Sequence, residues 1–223
     1  MPIHKVAAAK GLGRKSAYVA RNRAALLRST QRVLAEIGPE ASIDQFAEAA
    51  EIAISTIYTH FENKEGLIAA ANIEAFRDWQ DWADRFLHEI KDPIEELVLP
   101  MRLFLRLGKT HPHYAGMIAR NVFGTPKYFP QIEESIYQHV SELMKAKILN
   151  IENPAIRIRS VSACIFAGLS NQLLNPKAKE VEADATIEVI LGILGISSAR
   201  AKKLAYAPMP DLSPVTDADK VKS

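Results

Sequence analysis

The chain has 223 residues, 48% of them hydrophobic and 24% charged, with a formal net charge of +2 and one cysteine. That length holds one large or two small domains with a buried core, and two are expected. The lone Cys164 excludes an intrachain disulfide, fits a reducing compartment and reads as a small core residue. No run approaches the roughly 18 apolar residues of a membrane span and the N-terminus lacks the apolar stretch of a secretory signal, so a cytoplasmic protein without membrane contact is expected.

The small net charge conceals an uneven distribution. Lys5, Lys10, Arg14, Lys15, Arg21, Arg23, Arg28 and Arg32 all precede the first acidic residue, Glu36. Residues 1–18 lack periodicity and read as a disordered basic arm, either a solvated tail or a segment that meets a polyanion. A helix is predicted from Val19 to Ile37, because Leu26, Leu27, Thr30, Val33, Leu34 and Ile37 recur at helical spacing and Gly38-Pro39 follows. Its outer face carries Arg21, Arg28 and Arg32.

Ser42 to Leu67 is the most informative stretch. Ser42 and Gln45 have the spacing of a capping box, which starts a helix at Ile43 with Phe46, Ala47 and Ala50 on one face. Glu51-Ile52-Ala53 interrupts it. A second short helix is predicted over Ile54–Phe61, with Ile57 and Phe61 directed inward and Ser55, Thr56, Tyr58, Thr59 and His60 on the other faces. Asn63 then caps a third helix at Lys64. A helix, a short turn and a second helix with a polar free face is the arrangement by which a helix-turn-helix reads DNA.

Through Ser42, Ala47, Ala50, Ile52, Thr56-Ile57-Tyr58, His60-Phe61, Lys64 and Leu67, the stretch resembles the DNA-binding signature of the tetracycline-repressor (TetR-like) family of bacterial transcriptional regulators. It departs from the family at Glu51, commonly Gly, and at Ala53, commonly Ser. The resemblance implies an all-α protein: an N-terminal three-helix helix-turn-helix DNA-binding domain over 19–65, then an α-helical ligand-binding and dimerisation domain over 66–205. It further implies a homodimer that occupies a palindromic double-stranded operator as a repressor and is released by a small molecule, with Tyr58, His60 and Lys64 gripping phosphates. The Ser42 hydroxyl and nearby helix-start amides can join them, with Arg21 on the basic flank. Base edges then fall to Ile54, Ser55 and Thr59, Thr56 being shared between packing and phosphate. With no Arg, Asn or Gln on this helix, shape and the arm in a minor groove are expected to carry more of the recognition.

The helix from Lys64 is predicted to run to Ile90, about 40 Å, as a connecting rod with Phe76, Trp79, Ala83 and Phe86 in a stripe and Trp82 beside it. Further helices are predicted over 94–108, 111–123, 129–149, 155–174 and 183–195, punctuated by prolines, and residues 206–223 read as a disordered tail. Trp79, Trp82, Phe86, Met101, Phe104, Met117, Phe123 and Phe166 are candidate linings of an apolar cavity for an apolar or aromatic effector, with Asn121 and Asn171 as polar handles; an ordinary core would look the same. Ala163, Ala167 and Gly168, with Ile187, Ile190, Leu191 and Leu194, are expected at a four-helix dimer interface, in preference to packing inside one subunit. His111-Pro112-His113 reads as a helix start before a metal site. No catalytic motif, metal-ligand spacing or nucleotide loop is present, so neither an enzyme nor a cofactor is expected. The competing function is a DNA-organising protein of the same fold with no small-molecule effector.

Overall fold

The computed structural model describes residues 14–121 and 129–212, with side chains described for 19–120 and 132–212. The described residues form α1 (Arg14–Glu36), α2 (Ile43–Ala49), α3 (Ile54–His60), α4 (Lys64–Asp84), α5 (Pro93–Phe104), α6 (Leu107–Thr110), α7 (Pro112–Asn121), α8 (Phe129–Lys145), α9 (Pro154–Leu174), α10 (Glu180–Ile193) and α11 (Ser198–Ala205). No helix among them is long and apolar enough to cross a membrane. The apolar interior is continuous from Leu26 in α1 to Ala205 in α11.

Local chemistry sets the first three helices. α1 begins at Arg14, earlier than the predicted Val19, so part of the expected arm is helical backbone; residues 1–13 lie outside the described residues. The helix stops at Gly38, whose φ of 108° glycine tolerates best. The Ser42 hydroxyl accepts from the Gln45 amide at 3.2 Å and the Gln45 side chain accepts from the Ser42 amide at 2.8 Å, so the predicted capping box is formed. α2 ends in a Schellman turn: the Ile52 amide donates to the Ala47 carbonyl and the Glu51 amide to the Glu48 carbonyl, both at 3.0 Å. That turn puts Glu51 at φ 56°, the left-handed conformation for which glycine is better suited. Ala53 caps α3 without a side-chain hydrogen bond, whereas the Asn63 side-chain Oδ1 accepts from the Gly66 amide at 2.7 Å and caps α4.

α4 threads both halves of the molecule. Leu67, Ile68 and Ala71 are buried near its start and Trp79, Trp82 and Ala83 near its end. The Gln31 side chain, buried on α1, donates to the Ala71 carbonyl at 3.1 Å. The helix ends at Asp84, short of the predicted Ile90, and is about 30 Å long. Its last turn carries Asp81 and Asp84 and no basic residue, which opposes the helix dipole. Residues 85–90 continue only in tight turns, with Phe86 bonded back to Ala83 and Leu87 to Asp84. A second tie joins α1 to α7: a Cβ added to Gly116 would lie 3.0 Å from the Ala35 Cβ, and the Arg120 Nε donates to the Ala35 carbonyl at 2.8 Å.

The helix predicted over 94–108 is divided into α5 and α6, and α11 was not predicted at all. Between α5 and α10 lies an ion cluster whose members are far apart in sequence. Arg102 and Arg106 are each about 95% buried, and their Nη2 atoms lie 3.3 and 2.7 Å from the same Asp184 carboxylate oxygen. The Arg102 Nη2 also donates to the Ala207 carbonyl at 2.6 Å, and the Arg106 Nη1 to the Arg102 carbonyl at 3.2 Å. Glu180 is 3.6 Å from Arg106 and also accepts from Lys109. Residues 207–212, expected within a disordered tail, therefore run against the core, with Met209 and Leu212 packed on it. Residues 213–223 lie outside the described residues.

Three expected outcomes test these contacts. Asp184→Ala leaves two buried guanidinium groups without their shared counter-charge and is expected to lower stability by about 3–5 kcal/mol in urea denaturation; a loss near zero would show that the cluster does not hold α10 to α5. Relieving the left-handed strain at residue 51 with Glu51→Gly is expected to raise stability by about 0.5–1 kcal/mol, net of glycine's greater freedom when unfolded. Ala53→Ser should add a similar amount through the missing cap.

Candidate functional site

α2 and α3 present one exposed polar surface next to α1. Arg21, Ser42, Ser55, Tyr58 and Thr59 are exposed, and Ile54, Thr56 and His60 half-buried. Ile57 and Phe61 turn inward as predicted and are buried. Tyr58, on a face other than that of Ile57 and Phe61, stands 52% exposed. The Thr59 hydroxyl donates to the Ser55 carbonyl at 2.9 Å, leaving its lone pairs for a donor. The Arg23 guanidinium lies 5.2 Å from the Phe61 ring centroid and ties α1 to the end of α3, a contact missed in the sequence because it joins residues remote along the chain.

Lys64 differs from the role implied for it. Its ammonium donates to the Pro39 and Ala41 carbonyls, both at 3.0 Å, and so fastens the α1–α2 turn to the start of α4. Two of its three protons are occupied, so any grip on phosphate is through the third.

A cleft of about 280 Å³ opens where α4, α5 and α8 meet, with Ile165 of α9 among its lining residues. Trp79, Met101 and Phe104, three of the candidate lining residues, line it together with Phe76, Leu97, Ile132 and Ile136. Asp81, Asp84, Glu96 and His139, none of them singled out in the sequence, line it too. Trp79 stacks on Phe76 at 5.7 Å and meets Phe104 edge-on at 4.9 Å, and its indole N–H is buried without a partner.

The other expected lining residues are elsewhere. Trp82 meets Phe86 and His111 edge-on, both at 5.0 Å, and Met117 is a core residue. Phe166 is half-buried and packs against the core outside the cleft. Asn171 donates to Glu182 at 2.7 Å on the surface. The side chains of Asn121 and Phe123 lie outside the described residues. Among the described residues no group of three or more His, Cys, Asp or Glu side chains could hold a metal ion, and Pro112 begins α7 behind His111.

The expected dimer residues require a correction. Ile187, Ile190, Leu191 and Leu194 are at most 1% exposed and pack inside the single chain. Gly168 faces α10 of that same chain, since an added Cβ would lie 2.8 Å from the Thr186 Cγ2. Only Ala163 and Ala167 of the set are exposed. α10 is apolar on more than one side, and its larger residues take the inward one. The outward side carries Val181 at 53% and Val189 at 58% exposure, with Ala185 and Gly192 between and after them. Ile156 and Leu174 on α9 are also exposed, at 66% and 46%.

With this geometry in view, comparison with known proteins is informative. Residues 26–71 match the family model described as bacterial regulatory proteins, tetR family. No curated protein matches the sequence. The crystal structure of RolR in complex with resorcinol is similar at a TM-score of 0.69 with 20% identity, covering 89% of this chain and 100% of that one. A structure described as a TetR-family transcriptional regulator from Syntrophomonas wolfei gives 0.64 at 14% identity, over 86% of this chain and 98% of its own. An ArpA-like gamma-butyrolactone receptor gives 0.57 at 15% identity, over 84% and 96%. At these identities the structures establish the shared fold. The sequence match over residues 26–71 makes the α1–α4 unit similar to the DNA-binding region of the tetR family of bacterial regulatory proteins, and the rest of the chain shares the fold of the solved structures.

Proposed function

We propose that the protein is a homodimeric, ligand-responsive repressor: α3 of each subunit enters a major groove of a palindromic operator, and a small molecule in the α4–α5–α8 cleft releases it. The observation that carries this reading is the course of α4. One helix leaves the reading unit at Lys64, where its ammonium holds the α1–α2 turn, and reaches the cleft at Asp84. A ligand that changes how α4 lies against α5 and α8 changes the pose of the reader, provided it prefers one of the two poses. The family and the ligand named for RolR support an effector of small size for this chain as well.

On DNA, Ser55 and Thr59 supply hydroxyls to base edges and Ile54 a methyl surface for thymine, while Tyr58, His60, Ser42 and Arg21 meet phosphates. Two readers separated by one helical turn, about 34 Å, require a two-fold protein. The exposed stripe of Val181, Ala185, Val189 and Gly192 on α10, continued by Ile156, Ala163, Ala167 and Leu174 on α9, supplies the self-complementary face. Gly192 has nothing within 4 Å of where its Cβ would be, which leaves room for a helix of a second copy.

Both parts are open to direct measurement. A duplex selected from a random-sequence pool by the full chain serves as operator in fluorescence anisotropy. Tyr58→Ala is expected to weaken binding at least about tenfold, and Arg21→Ala to weaken all sequences alike and reduce the salt slope by about 1. An undiminished affinity in Tyr58→Ala would place the DNA contact elsewhere. Val189→Arg is expected to give monomers in sedimentation equilibrium with an unchanged helix content, and a dimer that survives it would exclude this face.

A further inference from the structure

The cleft joins an aromatic wall to a negative mouth. Phe76, Trp79 and Phe104 form the wall, held against one another by the stacked and edge-on contacts given above. Asp81, Asp84 and Glu96 are exposed at the mouth, and no Lys or Arg is among the lining residues that the structure describes. The only lining histidine, His139, is pushed below the ordinary histidine value by burial, against the upward pull of Glu96 and Glu142, so it brings no compensating positive charge at neutral pH. Asp84 is pushed above the ordinary carboxylate value by partial burial and by Asp81, with His88 pulling the other way. The carbonyl end of α4 terminates at the same place, adding the negative pole of a helix with no basic residue in its last turn.

These features agree on the sign of the occupant. Aromatic faces attract a cation through their quadrupole, most strongly where water is partly excluded. Carboxylates crowded beside a helix C-terminus attract the same charge and repel an anion. A cleft of about 280 Å³ has room for a compact molecule with one ring.

We propose that the effector is a small organic ammonium ion, its apolar or aromatic body against Phe76, Trp79 and Phe104 and its positive nitrogen at the mouth with Asp81, Asp84 and Glu96. The assignment rests on the reading of this cleft as the effector site and specifies its chemistry. A neutral phenol or an aliphatic acid would use the wall and leave the mouth unused or opposed.

Isothermal titration calorimetry on the full chain with three probes of similar size tests it: benzyltrimethylammonium, its uncharged isostere neopentylbenzene, and benzenesulfonate. The cation is expected to bind at least about tenfold more tightly than the isostere, and the anion not to bind. The double substitution Asp84→Asn with Glu96→Gln, both at exposed positions, should remove about tenfold of the cation's affinity and leave the isostere's unchanged. Ile136→Trp, which fills the cleft, should abolish binding of the cation, with thermal melts confirming that each variant is folded. Equal affinity for cation and isostere, preference for the anion, no binding by any probe, or a cation whose binding ignores both sets of substitutions would overturn the assignment. Repeating the titration with operator present separates the two readings. A cation that binds through these carboxylates without weakening DNA binding upholds the assignment and removes the sensor function; release from DNA by the isostere or the anion alone upholds the sensor and removes the assignment.

Discussion

The packing of α4 along the length of one continuous core constrains everything else in this molecule. Its first half packs against α1, where the Ala71 carbonyl accepts from the Gln31 side-chain amide, and its second half packs against α5 and α7, where Trp79 meets Phe104 and Trp82 meets His111 just before α7. A close-packed interior does not deform smoothly, so a helix shared in this way moves as a rod or stays where it is. The approach of α7 to α1 at Gly116 and Ala35 limits which movements are open. A rotation of α4 has to slide or lift that contact, and the absence of a side chain at Gly116 is what keeps the two helices close enough to feel it.

The charged groups do structural work of a different kind. Burying two arginines around one aspartate contributes little net stability compared with an apolar trio of the same volume, but it penalises every arrangement in which α10 and α5 are out of register. Lys64 acts similarly at the other end, where the side chain implied to hold a phosphate is already engaged by two carbonyls of the α1–α2 turn. If that ammonium also meets DNA, contact with the backbone and the posture of α4 are linked through a single residue.

What could be read from the sequence was mostly what is decided within a few residues. Ser42 with Gln45 defines a capping box whatever surrounds it, Asn63 caps α4 locally, and Gly38-Pro39 ends a helix by its own geometry. Glu51 stands where the family commonly has Gly, and its φ of 56° is the left-handed conformation that Gly suits best. Periodicity was less decisive. It identified α10 as a helix with an apolar face but could not say which of its apolar sides faces inward, and the larger side chains proved to be the interior ones. The end of α4 required weighing acidic residues against the helix dipole, and α11 carries only Ala201, Leu204 and Ala205 inward, too faint a stripe to stand out. The cluster of Arg102, Arg106 and Asp184 joins positions 78 and 82 residues apart, for which spacing offers no signal. The same is true of the cleft, where Trp79, Met101 and Phe104 were evident as apolar bulk and the carboxylates at the mouth were not.

The bond from Arg102 to Ala207 is made to the main chain. Because every residue type offers a carbonyl there, replacing the alanine leaves the acceptor in place so long as the segment keeps its path. Shortening the protein is another matter. A polypeptide cut before position 207 would strip an interior cation of the nearer of the two oxygens its Nη2 meets, leaving Asp184 alone to hold it, so residues 207–212 belong with the core they pack against.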